Sequence, residues 1–264
     1  MLRVAALQYC ASDDVAKTLH HIQPLIAEAA SKASLVALPE CATYLAASRE
    51  QLFQRAEWDD ESYSQKWLGD MARKFGIWLL AGSLIIRRRD NNQLVNRSLL
   101  FGPDGAVVAD YDKIHMFDAD VGDGKSYQES NSFSAGKSPV IAHVENVPCG
   151  LTICYDVRFA HLYRQLALDG AQLFLVPAAF TALSGKAHWH VLLRARAIET
   201  GCYVVAPAQS GTHADGRKTY GHSLIINPWG EIVAEAKDGD AIIFAALDLS
   251  ATARAQNAIP SLQT

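Results

Sequence analysis

The chain alternates short, densely apolar runs with longer stretches in which apolar residues return every three to four positions. The first pattern predicts strands and the second predicts helices. In the first half it gives a strand at about Arg3 to Gln8, a helix at about Val15 to Lys32, a strand at Leu35 to Leu38, a helix at about Ser62 to Phe75 and a strand at Ile77 to Ile86. The second half repeats the order. A strand at Val147 to Ile153 leads to a helix at about Phe159 to Asp169, a strand at Gln172 to Val176, a helix at about Ala187 to Thr200 and a strand at Tyr203 to Ala206. Gly170 and Gly201 stop the two helices. Ser98-Leu-Leu-Phe-Gly-Pro-Asp-Gly-Ala-Val-Val-Ala-Asp110 matches Ser223-Leu-Ile-Ile-Asn-Pro-Trp-Gly-Glu-Ile-Val-Ala-Glu235 position by position. Each reads as a β-hairpin around a Pro-x-Gly turn.

Strands that alternate with helices imply mostly parallel pairing through right-handed crossovers. Two crossover helices cover one face of each half's sheet and leave the other face apolar, and packing sheet on sheet buries both. The expected fold is therefore α/β: a four-layer α-β-β-α sandwich with an internal pseudo-two-fold repeat. A doubly wound sheet fits less well, because antiparallel hairpins belong to the repeat. The sandwich is expected as a single domain over residues 1–264, with a core at 1–250 and a C-terminal tail at 251–264. The strand ends of both halves should open onto one cleft.

Composition narrows the function. Half of the 264 residues are hydrophobic and the formal net charge is −4. No basic stripe suits a nucleic acid, and no stretch approaches the length of a membrane span. The first residues run straight into strand-like sequence without a signal region, so the cytoplasm is the expected location. The five cysteines are odd in number and show no Cys-x-x-Cys spacing, which predicts reduced thiols and no structural zinc. His188 and His190, two apart on a helix, should diverge rather than share a metal.

The chemistry begins at Cys154. In Val147-Pro-Cys-Gly-Leu-Thr-Ile-Cys-Tyr-Asp-Val-Arg-Phe159 an apolar strand ends in a cysteine and a helix-like segment follows at once. A thiol on such a turn points into a cleft, and the following helix is expected to favour its thiolate. Leu35-Val-Ala-Leu-Pro-Glu40 ends another strand in a carboxylate. Lys113 follows the first hairpin in Asp110-Tyr-Asp-Lys-Ile-His-Met-Phe-Asp118. Singly these read as a packed cysteine, a loop acid and a solvated lysine. Together they supply a base, an ammonium and a nucleophile, a complete set for acyl transfer.

On these residues the chain resembles the nitrilase, or carbon-nitrogen hydrolase, superfamily over nearly its whole length. The resemblance implies an α-β-β-α sandwich and assigns its Glu-Lys-Cys triad to Glu40, Lys113 and Cys154. Tyr127-Gln-Glu-Ser130 is similar to the motif that carries a second carboxylate, which makes Glu129 a supporting residue. His115-Met-Phe-Asp118, Gln128-Glu-Ser-Asn-Ser132 and Ala187-His-Trp-His-Val-Leu-Leu-Arg-Ala-Arg-Ala-Ile-Glu-Thr200 resemble the Nit branch, and deaminated glutathione amidases in particular. The sister ω-amidases share much of this pattern. One departure is Lys32-Ala-Ser-Leu-Val, where the family often turns into the strand through Gly-Ala-Asp-Leu.

The resemblance implies amide hydrolysis through a cysteine thioester. Glu40 would take the Cys154 proton, while Lys113 and the backbone N–H of Tyr155 would hold the oxyanion. No metal and no organic cofactor is called for. A small anionic 2-oxo amide substrate would need a cation, and Arg158, one turn beyond the nucleophile, is the first choice, against a salt bridge to Asp156. Arg194 and Arg196 read instead as partners of Glu199 or as subunit contacts. Three readings stay open: a deaminated glutathione amidase giving 2-oxoglutarate and Cys-Gly, an ω-amidase acting on 2-oxoglutaramate or 2-oxosuccinamate, and a catalytically silent binding protein on the same fold. The resemblance also implies a homodimer, with the tail crossing to a partner.

Overall fold

The computed structural model describes residues 1–262; the last two positions of the expected tail, 263 and 264, lie outside the described residues. The first half contains β1 (Leu2–Gln8), α1 (Val15–Ala30), β2 (Leu35–Ala37), α2 (Arg49–Arg55), β3 (Glu57–Trp58), α3 (Tyr63–Phe75), β4 (Trp78–Leu80), β5 (Leu84–Arg87), β6 (Leu94–Phe101) and β7 (Val107–Asp112). A ribbon of β8 (Asp118–Asp120) and β9 (Ser126–Gln128) leads to β10 (Val140–Val144) and β11 (Val147–Leu151). Next come α4 (Ala160–Leu168), β12 (Leu173–Leu175), α5 (Ala182–Thr200) and β13 (Tyr203–Ala206). A second ribbon, β14 (Ser210–Thr212) with β15 (Lys218–Tyr220), precedes β16 (Leu224–Ile226), β17 (Ile232–Glu235), β18 (Ala241–Leu247) and α6 (Ser250–Ala258).

One sheet has the order β18-β1-β2-β4-β6-β5-β3 with β7 beside β6, and the other has β10-β11-β12-β13-β16-β17. In the first, β1, β2 and β4 are parallel and β6 and β7 follow antiparallel. In the second, β11, β12 and β13 are parallel and β16 and β17 follow antiparallel. The repeat seen in the sequence thus recurs strand by strand. Each sheet also gains an outer antiparallel neighbour, β18 beside β1 and β10 beside β11.

Side chains alternate across a strand, and here both faces are apolar. Val4, Ala6, Leu35 and Ala37 meet Cys149, Leu151, Leu173 and Leu175 of the second sheet in one core. Ala5, Leu7, Val36 and Leu38 turn the other way, onto Leu19, Ile22 and Ile26 of α1 and Leu68 and Ala72 of α3. With α4 and α5 outside the second sheet, the layers are α-β-β-α as expected.

Three differences from the sequence reading have physical causes. The strand expected at Ile77 to Ile86 is broken into β4 and β5, because Gly82 lies against the Leu38-Pro39 backbone. A Cβ there would sit 2.0 Å from the Pro39 carbonyl oxygen, so the chain bends where the Glu40 loop passes. Helix α5 begins at Ala182, earlier than expected, since Gly185 serves close packing and not helix termination; its Cβ would come within 2.4 Å of the Tyr220 side chain. The described part of the tail does not reach outward. Thr252 and Ala255 of α6 are buried in the same chain, Gln256 Nε2 donates to the Thr200 carbonyl at 2.9 Å, and Arg164 donates to the Ser261 carbonyl at 3.1 Å. Among the described residues, no helix is long and apolar enough to cross a membrane.

Candidate active site

Glu40 stands three residues beyond β2, Cys154 three beyond β11, and Lys113 directly beyond β7. All three side chains are buried. Cys154 opens a 3-10 turn, Cys154–Arg158, with φ at +48°. A non-glycine residue in this left-handed region carries backbone strain, which the surroundings must hold in place. The Cys154 N–H does so by donating to the Pro177 carbonyl at 2.9 Å.

One hydrogen-bonded cluster links the expected residues. Lys113 Nζ donates to Glu40 Oε1 at 3.1 Å and to both Glu129 oxygens at 3.0 and 2.8 Å. Asn96 Nδ2 bridges the same two carboxylates, at 2.9 Å to Glu40 and 3.4 Å to Glu129. The Ala179 N–H donates to Glu40 Oε2 at 2.9 Å, and the Phe117 N–H to Glu129 Oε2 at 2.6 Å. Cys154 lines the same cavity as Glu40, near enough for the thiol and the carboxylate to shift each other's proton affinity.

Charge decides the resting state. Burial alone would raise the Glu40 carboxyl, but the Lys113 ammonium, the neighbouring Cys154 thiol and hydrogen bonds from Lys113 and Asn96 hold it below its ordinary value. Burial would lower the Lys113 ammonium, yet Glu129 and Glu40 push it well above. The Cys154 thiol is driven well above its ordinary value, first by burial and then by the Glu40 charge, against the smaller opposing pull of Lys113. This corrects the expectation of a thiolate favoured by a following helix. The regular helix α4 starts only at Ala160, and the thiol rests protonated in a cavity that also holds a carboxylate able to accept its proton.

The cluster forms the floor of a cavity of about 300 Å³, within the range of small-molecule sites. Phe117, Tyr127, Phe133, Tyr155 and Phe180 supply aromatic walls. The two ribbons form part of its rim through Ser126 to Gln128 and through Asp215 and Arg217, joined where Lys125 Nζ donates to the Asp215 carbonyl at 2.8 Å. Among the described residues, the Tyr155 N–H next to the nucleophile donates to no acceptor.

Arg158, the expected substrate cation, does not line this cavity. Its guanidinium lies over the rings of Tyr155 and Phe180, 5.7 and 5.1 Å from their centroids, and beside His188 at 3.2 Å. The alternative pairing with Asp156 fails too, because Asp156 accepts from Tyr111 Oη at 2.8 Å, the Ile153 N–H at 2.9 Å and the His115 N–H at 3.1 Å. Among the described residues, the cations on the cavity besides Lys113 are Arg49 and Arg217. Arg196 pairs with Glu199 as expected, and Arg194 donates to the Gly230 carbonyl at 2.7 Å.

Two residues missing from the sequence reading hold the cluster together. Asn96 was detectable as a lone amide in the apolar strand Leu94–Phe101. Gln209 Nε2 donates to the Glu40 carbonyl at 3.0 Å and its Oε1 accepts from the Ala11 N–H at 2.8 Å; nothing in its sequence context marks it.

Residues 3–257 match the model of the carbon-nitrogen hydrolase family. The chain belongs to that family. It is a hydrolase of carbon-nitrogen bonds. A deaminated glutathione amidase from Synechocystis is 41% identical over 263 residues, covering 98% of this chain and 96% of the relative. The omega-amidase NIT2 of Danio rerio is 36% identical, covering 98% and 92%. Among solved structures, Saccharomyces cerevisiae Nit3, a member of branch 10 of the nitrilase superfamily, superposes with a TM-score of 0.89 at 30% identity, covering 98% of this chain and 94% of that one.

Proposed function

We propose that this enzyme is an amidase of the deaminated glutathione type, with Glu40, Lys113 and Cys154 as its catalytic residues. The observation that carries the reading is that Glu40, Lys113 and Cys154 line one cavity, with Lys113 Nζ bound to Glu40 Oε1. Glu40 takes the thiol proton as sulfur attacks the amide carbonyl, so a thiolate exists only while it is being used. The oxyanion is held by the Lys113 ammonium and the Tyr155 N–H, donors in place before charge develops. Glu40 returns its proton to the departing amine, leaving a thioester. The same carboxylate then takes a proton from water, hydroxide adds to the thioester, and the acid leaves as the thiol reforms. Glu129 fixes Lys113 in register through its two contacts.

The substrate we propose is a small anionic 2-oxo amide. In place of Arg158, its carboxylates are assigned to Arg49 and Arg217. Arg217 has a buried Nε without a hydrogen-bond partner, so an anion there would satisfy a donor that is otherwise costly to bury. Deaminated glutathione leaves Cys-Gly as its amine, and contacts to that dipeptide would favour it by about 1–3 kcal/mol, roughly ten- to two-hundredfold. The NIT2 relative favours a second reading, an ω-amidase. Measured side by side, kcat/KM for deaminated glutathione should exceed that for 2-oxoglutaramate. A reversed order moves the assignment to ω-amidase, and no turnover of either amide refutes both.

We further propose a cytoplasmic homodimer acting as one domain over residues 1–264. The five unpaired cysteines suit a reducing compartment, and the core shared by both sheets suits a single folding unit. Exposed Val191 and Ile198 on α5 are available to a second copy, and sedimentation measures the mass.

A further inference from the structure

Outside the cavity, three side chains remote in sequence converge. His190 comes from α5, His222 from the turn before β16, and Glu235 from the end of β17. Glu235 Oε1 lies 2.9 Å from His190 Nε2 and 2.8 Å from His222 Nδ1, and the three atoms lie within 4.8 Å of one another. Two imidazole nitrogens and a carboxylate oxygen facing one point are the donor set of three-ligand divalent metal centres. Ligand bonds of about 2.0–2.2 Å in tetrahedral geometry place neighbouring donor atoms roughly 3.3 Å apart. The two contacts with Glu235 therefore open by a few tenths of an ångström, and the two imidazole nitrogens, within 4.8 Å of each other, settle at the same spacing.

The backbone holds these donors independently of their contact with one another. His222 has φ at +52° after Gly221 at +68°, a strained position for a side chain with a Cβ. Trp189, buried one residue before His190, donates from Nε1 to the His222 carbonyl at 2.8 Å. The next residue is pinned where the Ser223 N–H donates to Gln8 Oε1 at 2.8 Å. Tyr220 stacks on the His222 ring at 4.4 Å and 24°. Both rings are half-buried and Glu235 is exposed, which leaves a wet side for a fourth ligand.

We propose that His190, His222 and Glu235 bind one divalent transition-metal ion, zinc by geometry, with water completing the shell. Each ring keeps its proton on the other nitrogen and gives the facing lone pair to the ion, which displaces the hydrogen bonds to Glu235. The ion ties α5 to the β16–β17 hairpin and takes no part in the amide chemistry. His188, two residues from His190, belongs to neither, since it faces Arg158.

The test uses the full chain carrying Cys154→Ala, so that the reactive thiol does not compete. Titration with Co²⁺ should show one equivalent bound, with visible ligand-field bands and no thiolate charge-transfer band, and Zn²⁺ should displace it and raise Tm. Adding His190→Ala or, independently, Glu235→Gln should weaken binding about a hundredfold or more, exceeding the 10–100-fold cost of losing a mere outer-shell partner. The Tm response to Zn²⁺ should vanish as well. With Cys154 intact, His190→Ala should keep its turnover. Binding unchanged in both variants, a thiolate band, or no binding by the parent would overturn the site.

Discussion

Replacing Lys113 with methionine keeps an unbranched side chain, one atom shorter, and removes the ammonium that touches both Glu40 and Glu129. The two carboxylates would then face each other in a buried site bridged only by the Asn96 amide. Like charges so close do not both stay ionised, so one carboxyl takes up a proton on folding. In the unfolded chain that group titrates near about 4.3. Keeping it protonated at pH 7 costs about 3.7 kcal/mol at 1.36 kcal/mol per unit, and about 1 kcal/mol at pH 5. A group whose folded pKa is raised gives its full stability below its unfolded value and loses it as pH rises. The penalty of Lys113→Met should therefore be large at pH 7 and shrink by about 2.7 kcal/mol at pH 5. Wild-type Glu40, held low, gives up its contribution only below that window. Urea denaturation of both proteins at the two pH values reads the difference. Adding Glu129→Gln should recover most of the loss at pH 7. A penalty independent of pH, or below about 1 kcal/mol at pH 7, would refute the charge arrangement.

Two further predictions concern the sulfur and its support. Substoichiometric iodoacetamide should label Cys154, whose proton Glu40 can take, before the half-exposed Cys10 and before the buried Cys149 and Cys202, and Glu40→Gln should remove that preference; mass mapping that finds Cys10 or Cys41 first would contradict it. Asp156→Asn should cost about 1–3 kcal/mol and lower kcat with little change in KM, because Asp156 fastens the residue before Cys154 to the loop carrying Lys113; unchanged kcat in a stable Asp156→Asn protein would show that the tie is only structural.

The central strands were legible because they are apolar on both faces, and the hairpins because Pro-x-Gly turns leave a local mark. The ribbons β8–β9 and β14–β15 were not, since short exposed strands such as Asp118–Asp120 lack periodicity. Glu40, Lys113 and Cys154 could be picked out because each ends a recognisable strand or hairpin. Arg158 stands off the cavity on a 3-10 turn, which advances about 120° per residue where an α-helix advances about 100°, a difference that no apolar pattern marks. The state of the Cys154 thiol depends on burial and on a carboxylate 114 positions away, which no local pattern encodes.

Strand β18 sets the order in which this molecule can be made. Leu2 pairs with Leu247 and Gln8 with Ala241, so β1, made long before β18, stays open on one edge until β18 has followed. Pairings of such sequence separation are slow to close. An exposed edge is also a template for joining another chain. Synthesis thus passes through a period in which β1 and β2 can pair while the strand that caps them does not yet exist. Truncation before Ala241 would make that interval permanent and would leave the β1 edge opposite β2 exposed.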